Sequence, residues 1–296
     1  MDNNGLTDQE FALFQKLIYR LAGINMADSK KPLVAGRLSR RLRHYGLESF
    51  GAYYKLVTSG EHPQERQLMV DLLTTNETYF FREAAHFDFL QDFAASRRGR
   101  PFRVWSRASS SGEEPYPIAM VLAETLGLGA SWEVVASESS LTVLERAQTG
   151  LYPMERGRGI PPELMKKYCL KGVRSQEGNF LVVPRLRERV DFRHINLIAP
   201  ETRDLGQFDV IFLRNVMIYF DNDTKRKVVG NMVPHLREDG TFIVGHSETL
   251  TGITDELSAL RPTLYCRPHA QGQLERHRLN RAAPRALHPA RSEHGR

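Results

Sequence analysis

Apolar positions in the first quarter of the chain recur at intervals of three and four, the period of a helix with one buried face. Phe11, Phe14, Leu17, Ile18 and Leu21 form one such stripe. Thr7-Asp8-Gln9-Glu10 precedes it in the form of a capping box, in which Thr7 and Glu10 satisfy each other's backbone N–H. A second stripe, Val34, Leu38, Leu42 and Tyr45, predicts a helix from about Ser29 to Tyr45 that Gly46 stops. Helical patterns also cover residues 49–58 and 63–73, so roughly the first 75 residues read as an all-helical domain.

From Phe102 the pattern changes to short apolar runs that alternate with amphipathic segments, the signature of an α/β sheet with mainly parallel strands. The clearest strands are residues 102–105, 132–136, 208–213 and 241–245, with helices over 113–126 and 141–149 between the early ones. Between Leu151 and about Asn196 the rhythm breaks, and Gly157, Gly159, Pro161, Pro162, Gly172 and Gly178 punctuate the chain. This stretch reads as an insertion at about 156–195. It predicts a short helix over 162–168, then a small antiparallel sheet from the strand-like runs 179–183 and 189–192.

Composition alters this picture little. The chain has 296 residues, 41% hydrophobic and 26% charged, which suits a globular protein with a sizeable core. There is no run of about 18 apolar residues to span a bilayer, and the polar start has no apolar signal segment. Cys169 and Cys266 stand far apart without metal-ligand spacing, which fits a reducing cytoplasm. The net charge of +6 is concentrated at the end, where residues 267–296 hold seven arginines against Glu275 and Glu293. The body is therefore nearly neutral, which argues against a nucleic-acid partner, and the polar tail is expected to be disordered.

Candidate chemistry centres on the strand at 102–105, the loop Ser106-Arg107-Ala108-Ser109-Ser110-Ser111-Gly112, and the helix that opens with Glu113-Glu114-Pro115. Small loop residues let backbone amides approach a ligand, and Pro115 suits a first helical turn. Glu138, at the end of the next strand, is placed to accept hydrogen bonds from a ribose. One glycine is a poor match to G-x-G-x-x-G, so a dinucleotide is not favoured. S-adenosylmethionine has a ribose, no phosphates and an ammonium group that Glu113 suits. The plainer reading is a Ser-rich turn capping a buried helix.

Three further motifs make the pattern specific. They are Asn76-Glu77-Thr78-Tyr79-Phe80-Phe81-Arg82-Glu83, Phe208-Asp209-Val210-Ile211-Phe212-Leu213-Arg214-Asn215-Val216-Met217-Ile218-Tyr219-Phe220, and Gly245-His246-Ser247-Glu248. With the 105–116 segment they closely resemble the chemotaxis receptor methyltransferase (CheR) family, in order and spacing, over about residues 8–267. The resemblance implies a helical receptor-recognition domain at 1–75 and a doubly wound, mostly parallel Rossmann-like methyltransferase domain at 76–267. Within the latter sits the small antiparallel β-subdomain, and residues 268–296 form the basic tail.

It also implies S-adenosylmethionine as cofactor, with S-adenosylhomocysteine as product. Asn76, Thr78 and Arg82 match the segment that closes over it, Glu113 the acid at the methionine amino group, and Glu138 the ribose acid, usually Asp. Asn196 and Leu197 match positions beside the adenine, and Arg214 and Asn215 match contacts after the fourth strand. Tyr219 matches the tyrosine near the transferred methyl, and Arg82 and Tyr219 are the candidates to hold the acceptor. For Arg82 and Arg214 the competing reading is an ordinary structural ion pair, and His246 reads as structural. No metal is expected.

The acceptor implied is a glutamate carboxylate, ionised near pH 7 with an ordinary pKa of about 4.3, so no general base is required. The partner implied is the cytoplasmic domain of methyl-accepting chemotaxis receptors, met by Arg37, Arg40, Arg41 and Arg43 on the second helix. A receptor's C-terminal peptide is a further candidate, added as a strand to the β-subdomain near the loop 172–178.

Three positions depart from the family pattern: Arg107 inside the cofactor loop, Pro117 after Pro115-Tyr116, and Glu138 for Asp. Pro117 still falls in the first helical turn. Arg107 raises a rival reading, a receptor-binding or regulatory module with a weakened cofactor site. A nucleic-acid methyltransferase is disfavoured, because Arg214-Asn215-Val216-Met217-Ile218-Tyr219 has no proline pair after the fourth strand.

Overall fold

The computed structural model describes residues 5–199 and 204–272. The tail beyond residue 272, read above as disordered, lies outside the described residues. The capping box forms as expected: Thr7 N–H donates to Glu10 Oε2 at 3.0 Å and Glu10 N–H to Thr7 Oγ1 at 3.2 Å. It opens α1 (Asp8–Ala22), which ends at Gly23 in the left-handed conformation. Then follow α2 (Lys31–His44), α3 (Phe50–Thr58) and α4 (Pro63–Leu73). Their apolar stripes meet in one core that includes Phe14, Val34, Leu38 and Tyr53, all fully buried.

The second unit is built on α5 (Ala85–Ala95), β1 (Phe102–Arg107), α6 (Pro115–Leu126), β2 (Trp132–Glu138) and α7 (Leu141–Thr149). The chain continues with β3 (Leu151–Pro153), α8 (Pro162–Tyr168), β4 (Cys169–Lys171), β5 (Asn179–Val182), α9 (Pro184–Arg187) and β6 (Val190–His194). It closes with β7 (Phe208–Leu213), α10 (Asn222–Met232), β8 (Leu236–Val244), β9 (Ser258–Arg261) and β10 (Leu264–Cys266). The main sheet runs β6-β2-β1-β7-β8-β10-β9, parallel from β6 to β8 and antiparallel at β10 and β9.

Side chains of β1 alternate between two cores. Phe102 and Val104 pack with Phe87 and Leu90 of α5 and Ile118 of α6, whereas Trp105 packs with Val228 and Met232 of α10. Helices thus cover both faces, and the strand order turns back beside β1. In such sheets the ligand crevice lies there, at the carboxyl ends of the strands.

Two expectations need correction. The run 189–192 is not part of the small sheet: it is β6, paired in parallel with β2 through Val134–Val190 to Glu138–His194. The small sheet is instead β3-β5-β4, so the insertion occupies about 151–182. The periodic signal could not separate the two, because a short half-exposed edge strand reads alike in either sheet. Helix α5 and the last two strands were not anticipated. Among the described residues, no helix is long and apolar enough to cross a membrane.

Candidate functional site

The loop after β1 turns back on itself through left-handed backbone at Ala108, Ser110 and Gly112. That path is held by Glu138 at the end of β2. Its Oε2 accepts Ser110 N–H at 2.9 Å, and its Oε1 accepts Ser139 N–H at 2.8 Å and Ser140 N–H at 2.9 Å. Gly112 is required for more than its φ of 99°, since a Cβ there would lie 2.4 Å from Tyr152 Oη. Tyr152, on β3, donates to Ser111 O at 2.6 Å, so the inserted subdomain buttresses the loop.

Arg107 occupies the opposite side of this loop. Its side chain shares the Trp105 face of β1, with the guanidinium 5.0 Å from that ring and Nη2 donating to Asn196 O at 2.8 Å. It is 1% exposed, and burial pulls its pKa down to about 10, opposed by the Glu138 charge. Still charged at neutral pH, it ties β1 to the segment after β6. Among the described residues, Ala108, Ser109 and Ser110 form this wall of the cleft, and Arg107 does not.

The cleft has about 840 Å³ of space, its open mouth to solvent included. It unites most of the residues singled out from sequence: Asn76, Thr78 and Arg82 from the linker, Glu113 and Glu138 from the β1 and β2 ends. Leu197, Arg214, Asn215 and Tyr219 complete the far wall. The helical domain contributes Ala22 and Ile24, which the sequence reading did not include.

Glu113 is fully buried and is met by a cation from the insertion. Arg156 Nε lies 2.7 Å from its Oε1, with Nη2 on the same oxygen and also 3.1 Å from Thr78 O. Ser111 Oγ donates to Glu113 Oε2 at 2.6 Å. Arg82 Nη1 donates to Glu77 O at 3.2 Å, and its guanidinium lies 5.7 Å from the ring of the exposed Tyr79.

Arg214 lines the cleft and also forms the ion pairs of the competing structural reading. Its buried guanidinium binds Glu83 Oε2 at 3.0 Å, Glu114 Oε2 at 3.1 Å and the carbonyl of Arg82. Burial alone would raise the Glu83 carboxyl, but Arg214 and the Asn215 amide outweigh it and bring it down to about 2. At Glu114 the balance reverses: burial prevails over Arg214 and Ser106 and pushes the carboxyl up. Burial, reinforced by Arg214, depresses His86 to about 3, so it is neutral, with Nε2 2.8 Å from Thr263 Oγ1. The ring of His246 packs edge-on against it at 5.2 Å. Glu83, His86 and His246 lie close enough to share an ion. However, the Glu83 oxygens already accept from Arg214, Asn215 Nδ2 and His246 N–H, and the guanidinium would repel a metal.

Asn196, next to Leu197, is not among the residues that line the cleft. Its Nδ2 donates to Leu21 O at 2.9 Å and its Oδ1 accepts Ile198 N–H at 2.9 Å, so it fastens the end of α1 to the sheet domain. The four arginines of α2 also divide. Arg41 binds buried Glu65 through both carboxylate oxygens, and Arg37 donates to Leu72 O and Thr74 O at the C-terminal end of α4. Arg40 and Arg43 are exposed. A spacing argument could not detect this, because the acid that captures Arg41 lies 24 residues away.

Two family models match the chain: residues 9–74 match "CheR methyltransferase, all-alpha domain" and residues 76–266 match "CheR methyltransferase, SAM binding domain". The chain is 44% identical over 261 residues to the chemotaxis protein methyltransferase of Escherichia coli K12, covering 88% of this chain and 91% of that protein. It is 43% identical over 262 residues to chemotaxis protein methyltransferase 2 of Pseudomonas aeruginosa, covering 88% and 93%. The Salmonella typhimurium chemotaxis protein methyltransferase is 41% identical, covering 88% and 90%.

Proposed function

The chain belongs to the CheR methyltransferase family, and from that premise we propose that it esterifies glutamate side chains on the cytoplasmic domain of methyl-accepting chemotaxis receptors. It is an S-adenosylmethionine-dependent methyltransferase of chemotaxis. The acceptor, the residue roles, the domain division at residues 75 and 76, and a cytoplasmic location are our reading.

The observation that carries this reading is the cleft lined by Glu113 and Glu138 together with Arg82 and Tyr219. The cofactor fits the donor set. Oε2 of Glu113 accepts from Ser111 and Oε2 of Glu138 from Ser110, so each oxygen keeps a lone pair, one for an ammonium and one for a ribose hydroxyl. Ala22, Ile24, Leu197 and Phe220 offer an apolar wall to a base. S-adenosylmethionine supplies a methyl group already activated on a sulfonium and becomes S-adenosylhomocysteine.

An ionised glutamate needs no base, so the task of the protein is alignment, which can contribute roughly 7–11 kcal/mol. Arg82 would hold one acceptor oxygen by a charge-assisted bond while Tyr219 orients the other. The disposition of Arg107 speaks against the weakened-cofactor reading, since its side chain leaves the cleft free. The decisive experiment is transfer of labelled methyl to membranes carrying the host's receptors. Base-labile label on receptor bands is expected, and base-stable label or none would overturn the glutamate assignment.

A receptor tail peptide would add to the insertion as a strand. Strand β4 is an edge of the small sheet, with Leu170 on it 51% exposed and Val173 just after it 70% exposed. Titration with a receptor-tail peptide tests this tether, and failure to bind removes it.

A further inference from the structure

The turn that presents Tyr219 is held by one carboxylate. Glu248 Oε1 accepts the N–H groups of Val216 at 3.0 Å and Met217 at 2.7 Å. Its Oε2 accepts those of Asn215 at 2.8 Å and Gly245 at 2.7 Å. Two donors on each oxygen match the lone pairs of an ionised carboxylate. These bonds hold Asn215 in the left-handed region at φ 57°, where the chain leaves β7 and enters the tight turn Met217–Tyr219.

Gly245 makes the arrangement possible. A Cβ there would sit 2.5 Å from Asn215 Nδ2 and 2.9 Å from Glu248 Oε2. The motif Gly245-His246-Ser247-Glu248 is thereby explained as space followed, three residues on, by charge. From the other side, Asn25 N–H of the helical domain donates to Tyr219 O at 2.8 Å.

We propose that Glu248 is a positioning residue for methyl transfer, acting through the backbone of residues 215–217 to set the Tyr219 ring at the cleft. This rests on Tyr219 touching the acceptor, as read above. A glutamine cannot replace it: whichever oxygen pair its carbonyl serves, its NH₂ faces two N–H donors.

The test is a double-mutant cycle on the full chain with Glu248→Gln and Tyr219→Phe, scored by the rate constant for methyl transfer to host receptor membranes. Glu248→Gln alone is expected to slow transfer by about tenfold to a hundredfold, the effect of a roughly ångström-scale displacement. In the Tyr219→Phe background the same change should slow it by less than about threefold. Glu248→Asp, which can still accept from part of the set, should fall between wild type and Gln. All rates are taken below the thermal unfolding midpoint of every variant. Fully multiplicative losses, an unaffected Glu248→Gln enzyme, or a Tyr219→Phe enzyme as fast as wild type would each overturn the proposal. Should wild type label another acceptor instead, the receptor-glutamate reading fails, and the cycle is scored on that acceptor.

Discussion

Arg156 and Glu113 form an ion pair that joins the inserted subdomain to the cofactor loop, with the acid fully buried and the guanidinium 40% exposed. A cofactor ammonium seated on Glu113 would share the acid with Arg156. Replacing Arg156 by Ala should lower the stability of the ligand-free protein by about 1–2 kcal/mol, less than for a fully buried pair because of the solvent exposure. Saturating S-adenosylhomocysteine should recover most of that loss, since its ammonium supplies the missing charge. Thermal unfolding with and without ligand checks this: an equal ligand-induced shift in wild type and variant would sever the link.

Arg107→Ala should damage the fold and spare the cofactor. The substitution removes a buried side chain and leaves Asn196 O without its donor, a loss of about 2–4 kcal/mol. Affinity for S-adenosylhomocysteine, measured by calorimetry, should stay within about threefold of wild type. Binding tightened tenfold or more would restore the idea of a cofactor site obstructed by this arginine.

The sequence made the helical domain, the parallel sheet and most of the cleft legible because those features carry local signals. Thr7 and Glu10 are three residues apart, and the apolar stripes repeat every turn. What it concealed depends on contacts across long separations. Glu65 captures Arg41 from another helix, Asn196 is drawn to Leu21 across the domain junction, and Arg156 reaches Glu113 from an insertion. Glu83 and Glu248 stood inside the quoted motifs, yet their task of holding backbone amides and Arg214 emerges only when the strand ends converge.

His86 and Glu83 should make the protein acid-labile in two windows. A buried histidine whose pKa is depressed from 6.5 to about 3 binds its proton only in the unfolded chain across that interval. Stability is therefore fully present above pH 6.5 and falls with decreasing pH, by up to about 1.4 kcal/mol per unit. Glu83, depressed from 4.5 to about 2, adds a second loss only below pH 4.5. Urea unfolding between pH 7 and 4.5 should show a shallower slope for His86→Gln than for wild type. Parallel slopes would contradict the neutral buried imidazole.

Gly23 marks a close approach of the two domains. It sits at φ 73°, and a Cβ there would lie 2.7 Å from Ile198 Cγ2 and 2.8 Å from Thr224 Cγ2. Gly23→Ala should destabilise the protein by at least about 1 kcal/mol. It should also weaken S-adenosylhomocysteine binding, because Ala22 and Ile24 on either side line the cleft. Adding Ile198→Ala relieves one clash and should recover part of the affinity; no recovery would place the effect in the glycine conformation alone.

Two neighbouring arginines of α2 should respond in opposite ways. Arg41 holds Glu65 by bonds of 2.8 and 2.6 Å, joined by Tyr53 at 2.7 Å. Burial raises the Glu65 carboxyl, but the bonds from Arg41 and Tyr53 prevail and lower it, so the acid remains charged. Arg41→Ala strands that charge and should destabilise the helical domain by about 3 kcal/mol. Arg40 is exposed, and Arg40→Glu should change stability by less than about 0.5 kcal/mol. If this face meets acidic receptor helices, Arg40→Glu combined with Arg43→Glu should slow methyl transfer several-fold at low salt and flatten its salt dependence. Unchanged transfer kinetics in that stable double variant would remove α2 from the receptor interface.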